Sequence, residues 1–180
     1  MTLPAEWGFG GHFRLRVVDQ FPEAEYQALV RANLGDPHGW EEALSQEERA
    51  AHRELAGEVR KNRPLRIAAY DQEELVGVSY GRHAEDSTFN MSISLVSPAY
   101  RRQGLYGEML RYVLARTKQD GFLKVTSRHR ATNNAVIIPK LKAGFVISGM
   151  ELDPAFGTMV HLSYFHHPKL WELMEARAGI

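Results

Sequence analysis

The chain has 180 residues, with 22 Lys plus Arg balanced by 22 Asp plus Glu. That length suits one domain, residues 1–180, with a substantial buried core, and the neutral total supplies no global field for nucleic acid or an anionic membrane. The absence of cysteine excludes disulfides, zinc–thiolate sites and thiol nucleophiles.

The first residues, MTLPAEWGFGG, lack a basic flank followed by an apolar run, so no signal peptide is expected there. No stretch is apolar for long enough to span a membrane, and the expected location is cytoplasmic. His12 to Val18 alternates, with Phe13, Leu15 and Val17 on one side, and predicts a strand. Pro22 opens a short helix in which Tyr26, Leu29 and Val30 share a face. The turn-rich GDPHGW follows, and then a long polar helix from about Glu41 to Lys61.

LRIAAY and LVGVSYG, joined by DQEE, read as a hairpin. TFNMSISLV is a third strand, expected to turn Phe89, Met91, Ile93 and Leu95 one way. Leu105, Met109, Leu110, Val113 and Leu114 recur at helical spacing over about 104–119. FLKVTSRH is then reached through a crossover helix and should lie parallel to Thr88–Val96. A short helix over Asn133–Lys142 closes at Gly144, two strands follow, and Pro168 starts the last helix. These elements define a mixed α/β chain, with no repeats or low-complexity linkers.

The segment SLVSPAYRRQGLYGEML raises a chemical question, because two arginines and a glycine stand where a helix begins. The first amides of a helix have no intrahelical partner and carry partial positive charge, which suits phosphates. Gly104 would let a ligand approach the backbone, with Arg101 and Arg102 nearby. No GKS or GKT follows, and there are too few glycines for a dinucleotide fingerprint. On this segment alone, a helix start with solvated arginines explains the pattern equally well.

The order of elements adds to it. A strand, V-S-P-A-Y-R-R-Q-G-L-Y-G, a helix, a parallel strand and then N-N-A-V-I-I-P-K-L-K-A-G-F resembles the GNAT superfamily of acyl-CoA-dependent N-acyltransferases. The resemblance implies a mostly antiparallel sheet with one parallel pair that splays to admit acetyl-CoA, and helices on both faces. It places the pyrophosphate on Arg101, Arg102, Gln103, Gly104, Leu105, Tyr106 and Gly107, and the pantetheine arm along Leu95 and Val96 and beside Asn133. Acetyl-CoA is then the cosubstrate, no metal is needed, and the acceptor is a small-molecule or peptide amine. A catalytically silent coenzyme A-binding module is the alternative, and the oligomeric state stays open, a homodimer included.

Two positions depart from the family pattern. Tyr106 stands where Gly or Ala is usual, and packing on the apolar helix stripe accounts for it. Lys140 occupies the place of the tyrosine often assigned as general acid, and reads as a solvated surface charge. For chemistry, His129 sits at the end of its strand beside the predicted thioester, and imidazole suits the neutral range; a hydrogen-bonded structural histidine, with water carrying the proton, is the alternative. A backbone amide near Leu95 could serve the oxyanion. Trp40 is a candidate wall of an acceptor pocket, and Tyr80, Tyr164 and Phe165 either contribute to it or, by default, pack in the core. Glu85 and Asp86, the Glu48–His52 pair and His166–His167 read as structural or solvated, and no G-x-S-x-G elbow is present.

Overall fold

The computed structural model describes residues 3–34, 45–47, 50 and 63–179. The GDPHGW loop with Trp40, the Glu48–His52 pair and nearly all of the expected long helix lie outside them. Eight strands form one sheet in the order β1-β2-β3-β4-β5-β6-β8-β7. They are β1 (Glu6–Phe9), β2 (Phe13–Val17), β3 (Pro64–Asp71), β4 (Glu74–His83), β5 (Thr88–Val96), β6 (Lys124–Arg130), β7 (Val146–Asp153) and β8 (Gly157–Phe165). Among the described residues the α-helices are α1 (Glu23–Leu34), α2 (Leu105–Gln119), α3 (Asn134–Lys142) and α4 (Pro168–Ala178).

The β5–β6 pair is parallel and the other strand pairs are antiparallel. The connections are consistent with this: short turns join β1 to β2, β3 to β4, β4 to β5 and β7 to β8, whereas α2 carries the chain back across the sheet between β5 and β6. On one face α2 buries Leu105, Met109, Leu110 and Val113 among Phe13, Leu15, Ile67, Val76, Phe89 and Met91. On the other, α1 sets Leu29 and Val30 against Ala68, Leu75, Val78 and Leu95. Each such apolar side chain contributes about 1.5–3 kcal/mol on burial, so both helices are held by the sheet.

Two features differ from the sequence expectations. Glu6–Phe9 is a strand paired to β2, with Trp7 opposite Leu15. The other concerns β5, whose alternation breaks. Tyr80 pairs with Ile93 but Gly81 with Met91, leaving Ser92 as an extra residue. Such a bulge swaps faces. Phe89 and Met91 therefore join the α2 core, while Ile93 and Leu95 pack on the α1 side.

Candidate active site

The β5–β6 ladder runs Thr88↔Lys124, Phe89↔Val125, Asn90↔Thr126 and Met91↔Ser127, and then stops. Beyond it the strands part. Ser92 to Val96 on one side and Arg128, His129 and Arg130 on the other line a cleft of about 1850 Å³. The splay expected of the parallel pair is present, with Leu95–Val96 on one side and Arg128–His129 on the other, and it begins at the bulge.

One end of the cleft is the start of α2. Gly104 is its N-cap, in the left-handed region at φ 84°, and provides no side-chain cap. The amides of Leu105, Tyr106 and Gly107 thus have neither an intrahelical nor a side-chain acceptor. A Cβ added to Gly107 would meet nothing within 4 Å, so the space above these amides is open. Gly104 has a different neighbour: its Cβ would lie 3.1 Å from Phe9 Cζ. Glycine is needed there for both φ and contact.

Arg101 and Arg102 line the same end. The Arg101 guanidinium donates to Asn33 Oδ1 at 2.8 Å and to the Val96 carbonyl at 3.3 Å, tying α1 to the end of β5. Gln103 is exposed beside them. Tyr106 is half-buried against the α2 core, as its place on the apolar stripe implied, and its hydroxyl is a buried polar atom without a partner. Burial pushes that phenol's pKa upward. Asn133 caps α3 without a side-chain capping bond and lines the cleft.

Lys140 overturns the sequence expectation. It is not a solvated charge: it is 0% exposed. Its Nζ donates to Ser127 Oγ at 2.8 Å, approaches Met91 Sδ at 3.3 Å and lies 4.4 Å from the Phe145 ring centroid. Met91 and Ser127 are the last paired residues of the parallel ladder, so the ammonium sits at the point where the strands part. Burial without a carboxylate partner lowers its pKa to about 7.

Ser127 also shares a hydrogen bond with His129 Nε2 at 3.1 Å. Lys140, Ser127 and His129 are therefore one line, with its His129 end in the cleft wall. Burial, with the Lys140 charge adding to it, lowers the His129 pKa to about 3. The imidazole is neutral at physiological pH, and the group that titrates near neutrality is Lys140. The signal for this was present in α3: Lys140 follows the buried Ile137 by three positions, on the inward face. It was masked by Ile138 and Leu141, which point outward at 48% and 41% exposure.

The two adjacent histidines have structural tasks. His166 Nε2 shares a hydrogen bond with Thr117 Oγ1 at 2.9 Å, and His167 Nδ1 accepts from the Lys169 amide at the start of α4. No group of three or more His, Asp or Glu side chains could hold a metal ion among the described residues. Among them, too, no helix is long and apolar enough to cross a membrane.

The eight-stranded mixed sheet with its helices superposes on solved acetyltransferases. An acetyltransferase from Bacillus subtilis in complex with CoA superposes with a TM-score of 0.62 at 16% identity, covering 86% of this chain and 99% of that one. An aminoglycoside 6'-acetyltransferase type Ii gives 0.62 at 16%, with 84% and 96% covered. The ribosomal-protein-S18-alanine N-acetyltransferase from Escherichia coli gives 0.61 at 14%, with 84% and 93% covered. The chain belongs to the Acetyltransferase (GNAT) family, whose model matches residues 26–145, two thirds of the sequence. A search of curated proteins finds no match.

Proposed function

We propose that the protein transfers an acetyl group from acetyl-CoA to a primary amine. The observation that carries this reading is the parting of β5 and β6 into a cleft that ends at the uncapped start of α2. The free amides of Leu105–Gly107, with Arg102 nearby, suit the pyrophosphate, and the open space above Gly107 accommodates it. The β5 edge from Ser92 to Val96, unpaired on the gap side, offers backbone groups to the pantetheine arm, with Asn133 beside it.

Bound acetyl-CoA supplies the thioester: the amine nitrogen bonds to the acetyl carbon, the C–S bond breaks, and coenzyme A leaves with a proton. The amine must shed a proton and the sulfur must gain one, so a group that exchanges protons near neutral pH serves both halves. His129 is the cleft-lining member of the buried line. As it takes a proton on its other ring nitrogen, Nε2 can release one to Ser127 Oγ while the Ser127 proton moves to the neutral Lys140 amine. The reverse movement returns a proton toward the sulfur.

The test is coenzyme A release from acetyl-CoA, followed by a thiol reagent across a panel of amines, beside a thermal-shift comparison of acetyl-CoA, CoA, ATP and NAD. Amine-dependent release with stabilisation by acetyl-CoA supports transfer. Stabilisation without release under any amine would make the chain a silent coenzyme-binding module.

A further inference from the structure

The cleft has a second charged region, away from Arg101 and Arg102. Arg66, Arg82, Arg128 and Arg130 all line it, with Tyr80, Asn90 and Ser92 among them. Strand register explains why they meet. Arg66 lies opposite Tyr80, and Arg82 opposite Asn90. Asn90 in turn lies opposite Thr126, whose hydroxyl donates to Asn90 Oδ1 at 3.3 Å. Arg128 and Arg130 follow Thr126 at two-residue steps along β6 and so project from the same side of the sheet. Three neighbouring parts of the sheet thus turn four cations toward one volume.

Among the described residues, few groups neutralise them. Glu23 is the single carboxylate lining the cleft among the described residues. Arg128 is paired with Glu151 of β7. Arg66 and Arg130 lie 5.1 Å from the Tyr80 and Phe156 ring centroids, contacts that hold a guanidinium in place without cancelling its charge. The Tyr80 hydroxyl is buried with no hydrogen-bond partner. Like charges lining a cleft focus a positive potential and favour an anion there, while a polycation would be repelled.

We propose that the acceptor amine also carries a carboxylate or phosphate, held by Arg66, Arg82, Arg128 and Arg130 while its amine faces the gap between β5 and β6. This rests on the transferase reading above. Guanidinium forks match both anions, and the Tyr80 hydroxyl is placed to add a further donor. Polyamines and aminoglycosides fall outside the class.

The experiment compares coenzyme A release with matched amines: β-alanine against its amide, phosphoethanolamine against ethanolamine, and spermidine as the polycation. The expected result is a kcat/KM about tenfold or more higher for at least one anionic member than for its neutral partner, with spermidine inactive. The two pairs separate carboxylate from phosphate recognition. Arg82→Gln and, separately, Arg66→Gln should raise the KM of the preferred anionic amine about tenfold and leave the Kd for acetyl-CoA unchanged. Equal or better turnover of the neutral partners or of spermidine would overturn the inference while keeping the transferase reading. If no amine is turned over, the transferase reading fails instead. Calorimetric titration of the same pairs into CoA-saturated protein then decides the charge preference: tighter binding of an anionic member supports it, and equal or weaker binding overturns it.

Discussion

Lys140 must reside in the sheet interior with one serine hydroxyl, one thioether and an aromatic face for company. A buried ammionium of this kind keeps its proton only at a cost, which places its titration near neutrality. Replacing it with methionine, similar in length and apolar, should leave the protein as stable or more stable at pH 6 by thermal melting. The same Lys140→Met change should lower kcat about tenfold or more, about 1.4 kcal/mol in the barrier, and remove an ionisation near pH 7 from the kcat profile. An unchanged profile would reduce Lys140 to packing. For His129→Ala we expect a fall of about 10²-fold in kcat/KM, with the ionisation near neutrality shifted but still present, because it belongs to the lysine. Sequence reasoning put His129 at a strand end beside the gap, and there it lines the cleft. It misjudged Lys140 because charge is ordinarily a surface signal, and only the tertiary fold shows what closes over α3.

Most elements were legible because their periods are unambiguous. The stripe from Leu105 to Leu114 can only be an amphipathic helix, and the crossover it forms dictates a parallel partner for β5. The bulge at Ser92 was not legible. TFNMSISLV alternates without a break, and the face swap arises from its register against β4. Four-residue β1 gave too short a pattern beside GFGG to signal a strand. At the start of α2 the two glycines now separate experimentally. Gly107→Glu adds a carboxylate beside the free amides at a position where a Cβ meets nothing within 4 Å, so coenzyme binding should weaken at least tenfold with the melting temperature unchanged. Gly104→Glu should also abolish binding, but with a stability loss of about 1–2 kcal/mol from its left-handed φ, besides the contact with Phe9. Wild-type affinity in Gly107→Glu, measured by calorimetry, would move the pyrophosphate elsewhere.

For the whole molecule, the two perturbed bases act in the same direction. Both have folded pKa values below their ordinary ones, so the unfolded chain binds more protons and stability rises with pH across each window. The His129 contribution is complete above about pH 6.5 and is lost as the pH falls toward 3. That of Lys140 is complete only above about pH 10.5 and is lost as the pH falls through 7. Urea midpoints should therefore rise between pH 7 and pH 9, with the unfolding free energy gaining at most about 1.4 kcal/mol per pH unit, and Lys140→Met should flatten that rise. A wild-type midpoint that falls over this interval in parallel with the variant would refute the buried ammonium.

The first strand has a reach that its size conceals. Phe9 packs beneath Gly104, Trp7 Nε1 donates to Glu108 Oε1 at 2.8 Å and stacks 4.1 Å from Tyr112, and the Tyr112 hydroxyl donates to the Pro4 carbonyl at 2.7 Å. These contacts fall four residues apart, at the N-cap Gly104 and at Glu108 and Tyr112 of α2, so the leading segment is strapped along the helix like a splint along a bone. Residues outside the cleft lining thus fix the direction in which the free amides of Leu105–Gly107 point. Trimming the chain to begin after Phe9, or Trp7→Ala alone, should cost coenzyme affinity by equilibrium titration, even though the cleft wall itself is unaltered. Affinity tags fused ahead of Pro4 become an experimental variable in their own right, and placing them at the other terminus avoids pulling on the splint.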